Sequence, residues 1–158
     1  MTFTLTSTSF GPDGTIPVRH TCDGADVSPP LAWSGAPAGT AAFALIQDDP
    51  DAPRPGGFVH WVAYDVPASV TRLPEGVSRN ERPEELHGGL QGTNDFRRIG
   101  FNGSCPPPGT PHHYHFTLYA LDSALSLGPG ATRAQVAGAM KGHVLGQAEL
   151  IGRYGRSR

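Results

Sequence analysis

Phe58-Val59-His60-Trp61-Val62-Ala63-Tyr64-Asp65-Val66 is the stretch on which the fold turns. It contains no proline or glycine and is dense in β-branched and aromatic side chains, the composition of a strand. Alternation along a strand puts Phe58, His60, Val62, Tyr64 and Val66 on one face and Val59, Trp61, Ala63 and Asp65 on the other. His60 is therefore expected among apolar side chains, away from the solvent face.

Immediately upstream, Asp48-Asp49-Pro50-Asp51-Ala52-Pro53-Arg54-Pro55-Gly56-Gly57 sets three carboxylates within four positions, with three prolines around them. Residues that precede proline are biased to extended or turn geometry, so this segment reads as a rigid loop. Further upstream, Ala41-Ala42-Phe43-Ala44-Leu45-Ile46-Gln47 is a continuous apolar run that fits a strand buried on both faces. It delivers the chain straight into the aspartate loop.

Outward from this centre, Phe3 to Ser7 alternates like a half-buried strand and Gly11-Pro12-Asp13-Gly14 turns the chain. Residues 16–20 suggest a short strand before the polar loop Cys22 to Asp26. Ser28-Pro29-Pro30-Leu31-Ala32-Trp33 reads as extended, and its prolines suit an edge strand. Residues 67–100 form a long excursion with a helical turn near Arg82 to Leu86, and loops this long usually cover something. Tyr114 to Leu121 is another strand. Thr132 caps a helix predicted from Arg133 to about Leu145, with Val136, Ala139, Met140, His143 and Val144 as its apolar stripe. Gly146 stops it, and residues 148–154 return as a strand. The expectation is mainly antiparallel β structure with one C-terminal helix and few short helical pieces, in a single domain over residues 1–158.

Composition narrows the function. In 158 residues, charged side chains make up 16% and the formal net charge is −2. No field recruits nucleic acid or an anionic membrane. Only Lys141 is lysine, and the eleven arginines are scattered. Nothing approaches the roughly 20 apolar residues that span a bilayer. The first residues lack a basic region and an apolar run, so the expected location is cytoplasmic. Cys22 and Cys105 could form one long-range disulfide, but that compartment argues for reduced thiols.

A second stretch answers the aspartate loop: Gly100-Phe101-Asn102-Gly103-Ser104-Cys105-Pro106-Pro107-Pro108-Gly109-Thr110-Pro111-His112-His113-Tyr114-His115. Prolines donate no N–H, so the free amides of Gly103, Ser104 and Cys105 would form a small nest suited to a phosphate or carboxylate oxygen. A buried carboxylate beside His60 would favour a charged imidazole, a good anion ligand. Asp49 and Asp51 could be acid/base partners or could cap loop amides. On a strand, His112 and Tyr114 share one face and His113 and His115 the other, so a three-histidine metal site would need a bend in the strand. Cys105 as a nucleophile would need a histidine base.

Asp-Pro-Asp-Ala-Pro, the His60-Trp61 strand, the Gly-x-Cys-Pro-Pro loop and the His112-x-Tyr114 strand, in this order, resemble the phosphatidylethanolamine-binding protein family. The closer likeness is to its bacterial, Raf-kinase-inhibitor-like branch. The resemblance implies a β-sandwich with an anion pocket lined by Asp49, His60, Gly103, Cys105, Pro107, His112 and Tyr114. It implies that Asp51 and Pro53 support that pocket, with a cis peptide bond at Ala52-Pro53. This sequence departs from the bacterial pattern at Phe101, Ser104 and His113, where tyrosine, proline and arginine are usual. The expected ligand is a small anion such as phosphate, phosphoethanolamine or an acetate-like group, with no catalytic residue, metal or cofactor. A regulatory role follows by analogy, with a kinase as a possible protein partner and a homodimer left open. The alternative is a hydrolase or related enzyme using His60 and Asp49.

Overall fold

The computed structural model describes residues 2–156. Eight strands and one helix follow one another as β1 (Thr4–Thr6), β2 (Leu31–Ser34), β3 (Ala42–Asp49), β4 (Phe58–Pro67), β5 (Arg72–Leu73), β6 (Leu90–Gln91), β7 (His112–Leu121), α1 (Arg133–Met140) and β8 (Val144–Tyr154). They form two antiparallel sheets, β1-β2-β5 and β6-β4-β3-β7-β8. The apolar run of β3 occupies the centre of the larger sheet, buried on both faces as its composition requires.

One core lies between the sheets, where Leu5, Leu31, Trp33 and Leu73 meet Phe43, Leu45, Trp61, Phe116, Leu118 and Leu150. A second core covers the outer face of the larger sheet, where Ala44, Ile46, Val62 and Tyr64 pack with Val136 and Met140 of α1. The helix begins at a capping box. Thr132 Oγ1 accepts the Gln135 N–H at 3.3 Å and the Gln135 side chain accepts the Thr132 N–H at 2.9 Å.

Four local expectations are corrected. The helix ends at Met140, because Gly142 turns the chain at φ 84° and residues from Val144 onward pair with β7. Val18–His20 is a 3₁₀ turn rather than a strand. Strand β2 is the middle strand of its sheet, not an edge, because Pro29 and Pro30 precede the paired residues and leave the ladder intact. The alternation read along Phe58–Val66 is also broken, by two bulges. Gln47 pairs with Trp61 and Asp48 with Val59, which leaves His60 as an extra residue. Phe43 pairs with Val66 and Leu45 with Ala63, and the extra residue there is Asp65 at φ 54°. Consequently Val66 joins Trp61 and Ala63 in the inter-sheet core, while Val62 and Tyr64 face the helix.

Candidate functional site

The bulge at His60 positions the site. It turns this side chain toward Tyr114 of β7 on the same side as Trp61, and the two rings meet edge-to-face at 5.3 Å between centroids. His60 is 3% exposed. Its Nδ1 lies 2.8 Å from the Asn102 carbonyl and its own carbonyl accepts the Asn102 N–H, so residue 102 brackets it from both sides. A carbonyl only accepts, so Nδ1 carries the proton and Nε2 of the neutral ring is a free acceptor. Burial holds the imidazole below its ordinary pKa, against the opposing pull of the Asn102 carbonyl and Asp49. Burial therefore works against the imidazolium that the nearby carboxylate was expected to favour.

Asp49 ends β3, and the aspartate loop folds back onto it. Gly56 and Gly57 both adopt positive φ, and a side chain on Gly57 would meet the Asp49 carbonyl at 2.6 Å. Asp49 Oδ1 accepts the Asp51 N–H at 2.9 Å and Oδ2 receives His112 Nδ1 at 2.6 Å. Both carboxylate oxygens are therefore engaged. Asp51 points outward and accepts the His113 N–H at 2.7 Å and its ring Nδ1 at 2.9 Å. These bonds hold the Asp51 carboxyl below its usual range and tie the loop to β7. The Ala52-Pro53 bond is trans: no cis peptide occurs among the described residues, and the loop makes its turn with the two glycines instead.

Asp49, His60, Cys105, Pro107, His112 and Tyr114 line one pocket of about 180 Å³, together with Ala52, Pro53, Phe58, Phe96 and Pro106. Gly103 is not in the lining. Its N–H donates to Asp26 Oδ1 at 2.8 Å, and a Cβ there would lie 2.3 Å from the His20 carbonyl. Ser104 is absent from the lining too and its backbone bridges to Thr21, so of the expected amide nest only Cys105 borders the pocket. Cys105 is bonded to Cys22, which overturns both the reduced thiols and a Cys105 nucleophile. The parallel bridge of Thr21 to Ser104 and the Cys22 N–H on the Ser104 carbonyl bring the two cysteines together.

The strand alternation at β7 holds. His112 and Tyr114 turn inward, while His113 and His115 pair separately with Asp51 and Glu149. Among the described residues no three His, Cys, Asp or Glu side chains converge as a metal site.

Phe96, which sequence reasoning missed, stands over the pocket 4.7 Å from Phe58 and 5.5 Å from His60, centroid to centroid. Buried Asn94 holds its hairpin by accepting the Phe96 and Arg98 N–H groups and donating to Gly100 O and Asn102 Oδ1. An Asn before such a turn was the available signal.

Tyr114 carries the site's anomaly. Its hydroxyl is buried without a well-formed hydrogen bond among the described residues, and so is the Ser104 hydroxyl, although Ser104 and the Asp49 carboxylate lie beside it. Burial, with Asp49 nearby, pushes the phenol well above its ordinary pKa, so it is a neutral donor. Native structures rarely leave such a group unpaired.

A model of the family described as Phosphatidylethanolamine-binding protein matches residues 6–155. A UPF0098 protein of Methanothermobacter thermautotrophicus is 48% identical over 152 residues, 96% of this chain and 98% of the relative. One from Pyrococcus abyssi is 47% identical over 151 residues, 95% of this chain and 84% of the relative. A Mycobacterium tuberculosis relative at 44% identity, LppC, is named as a candidate lipoprotein. That name leaves the cytoplasmic expectation unsupported; among the described residues no helix is long and apolar enough to cross a membrane. The crystal structure of Escherichia coli YbcL, titled a member of the mammalian PEBP family, superposes with a TM-score of 0.88 at 35% identity, covering 97% of this chain and 98% of that one. Two antiparallel sheets, the motif order and these likenesses over nearly the whole chain agree: the chain belongs to the phosphatidylethanolamine-binding protein family.

Proposed function

We propose that the pocket binds a small oxyanion-bearing group, a phosphate, carboxylate or phosphorylated head group, and that the protein acts by binding it in a regulatory role. Family membership supports a general binding or regulatory role; inhibition of a kinase or another enzyme is the form this reading gives it. The observation that carries the proposal is the buried, unpartnered Tyr114 hydroxyl in the lining. A neutral phenol in an apolar wall donates well to an anionic oxygen, and a charge-assisted bond is roughly twice as strong as a neutral one. At about 180 Å³ the space lies below the roughly 300–1,000 Å³ of pockets for drug-sized ligands. It suits a head group rather than an acyl chain.

Neutral His60 offers an acceptor at Nε2. An incoming anion must therefore present a protonated oxygen or drive proton uptake by the ring. We favour binding over the hydrolase alternative because Asp49 bonds Asp51 and His112 and does not orient His60, whose Nδ1 is held by the Asn102 carbonyl instead. Calorimetric titration of the parent and His60→Ala with phosphate and phosphoethanolamine tests the reading. The variant should keep its fold and lose on the order of 1.5–3 kcal/mol of affinity. Equal affinity in the two proteins refutes it.

A further inference from the structure

We propose that the Cys22–Cys105 disulfide is a redox clasp on the pocket, so that reduction by a dithiol loosens one wall and weakens oxyanion binding; this rests on the oxyanion reading above. Cys105, Pro106 and Pro107 form that wall. Pro106, Pro107 and Pro108 have no N–H, so no continuous ladder holds the segment between Ser104 and Gly109, and its one backbone pairing is an isolated bridge of Pro108 to Arg156. What remains is sparse. Upstream, the Ser104 carbonyl accepts the Cys22 N–H at 3.1 Å and the Gly103 N–H reaches Asp26. Downstream, the Pro106 carbonyl accepts from Arg156 at 3.4 Å and the Gly109 N–H bonds the Arg156 carbonyl at 3.1 Å. Between these ties the sulfur of Cys105 is the wall's covalent anchor to the loop at residues 21–26.

The bond is placed where a reductant can reach it. Both cysteines are exposed, although Ser104 and Pro106 on either side of Cys105 are buried. Exposed disulfides are the ones open to exchange. A thiolate of the dithiol attacks one sulfur to give a mixed disulfide, and its second thiol resolves this. Two electrons and two protons pass to Cys22 and Cys105, and the dithiol leaves as a cyclic disulfide. The wall then keeps only its hydrogen bonds, and the opening of the pocket is free to widen around Tyr114.

The test compares oxidised protein, protein reduced anaerobically with dithiothreitol and counted for thiols, and a Cys22→Ser/Cys105→Ser variant. Amide exchange at positions 22, 103 and 109 and phosphate affinity are the two readouts, with circular dichroism as a check of the fold. The clasp predicts two new thiols under native conditions, at least tenfold faster exchange at these amides, and several-fold weaker phosphate binding that reoxidation restores. The double variant should match the reduced protein and ignore dithiothreitol. Unchanged exchange after reduction overturns the proposal, as does a bridge that dithiothreitol cannot reduce without unfolding. Faster exchange with equal phosphate affinity also overturns it. If no form binds phosphate, the oxyanion reading fails and with it control of binding; the exchange rates still decide whether the bridge holds the wall.

Discussion

Replacing Tyr114 by phenylalanine should make the empty protein more stable and the binding protein weaker. The ring stays, with its edge-to-face contact to His60 at 5.3 Å and its stack on His112 at 6.5 Å. Only the hydroxyl goes, and it makes no well-formed hydrogen bond among the described residues, with Ser104 and Asp49 beside it. A buried donor left unsatisfied costs roughly 1–3 kcal/mol, and the adjoining pocket can admit water, so the gain should sit near the low end, about 1 kcal/mol. In a chain of this length that raises the melting temperature by roughly 2–4 °C. Loss of a hydrogen bond to a charged group costs about 1.5–3 kcal/mol of affinity, roughly ten- to hundredfold. The order of stability then depends on ligand. At phosphate equal to about 100 times its Kd the parent gains about 2.7 kcal/mol. A variant binding about thirtyfold more weakly gains only about 0.9 kcal/mol by the same relation. Thermal melts in phosphate-free buffer should rank Tyr114→Phe above the parent, and melts in saturating phosphate should reverse the ranking. A variant that melts lower in both, or that gains as much from phosphate as the parent, refutes the reasoning.

Three other outcomes follow from the same geometry. Gly103→Ala should cost more than about 2 kcal/mol in urea unfolding, because its Cβ would lie 2.3 Å from the His20 carbonyl and 2.4 Å from Asp26 Oδ1; near-parent stability would show that this segment gives way. The Cys22→Ser/Cys105→Ser variant releases a loop of sequence separation 83 and should lose roughly 4–5 kcal/mol on the chain-entropy account, read from the same urea midpoints. Burial lowers the pKa of both His20 and His60. Below the unfolded value of about 6.5 the unfolded chain takes up more protons, so this stability is present above pH 6.5 and lost as pH falls through the folded values. Melting temperatures that stay flat from pH 7 to 5 in the parent and fall in His20→Gln/His60→Gln would contradict that assignment.

Much of this was legible in the sequence because the signals are local. The apolar run at residues 41–47 fits a buried strand, and Thr132 reads as a helix cap. The proline-flanked aspartates and the Cys-Pro-Pro loop are rigid enough to read as site walls, and six of the seven lining residues that the family resemblance implied do meet in one pocket. What stayed hidden is set by partners distant in the chain. The bulge at His60 exists only against the register of β3, so strand alternation misplaced its neighbours. The helix stripe continued through His143 and Val144, but pairing with β7 claims Val144 and the residues after it. Phe96 sits in a segment with no periodicity. Gly103 looked like a free amide because Asp26, its acceptor, lies 77 residues earlier. The disulfide joins cysteines that only the fold brings together.

The most direct test is to follow the ring nitrogens of ¹⁵N-labelled histidine while phosphate is added near neutral pH, with acetate as a second anion. His60 Nε2 should begin at the value of an unprotonated nitrogen and move toward that of a protonated one, saturably, as the anion enters. His20, buried at 1% exposure with both ring nitrogens engaged by Val27 and Ser9, should not move. A His60 signal indifferent to both anions, or one that moves no more than His20, would contradict the oxyanion pocket.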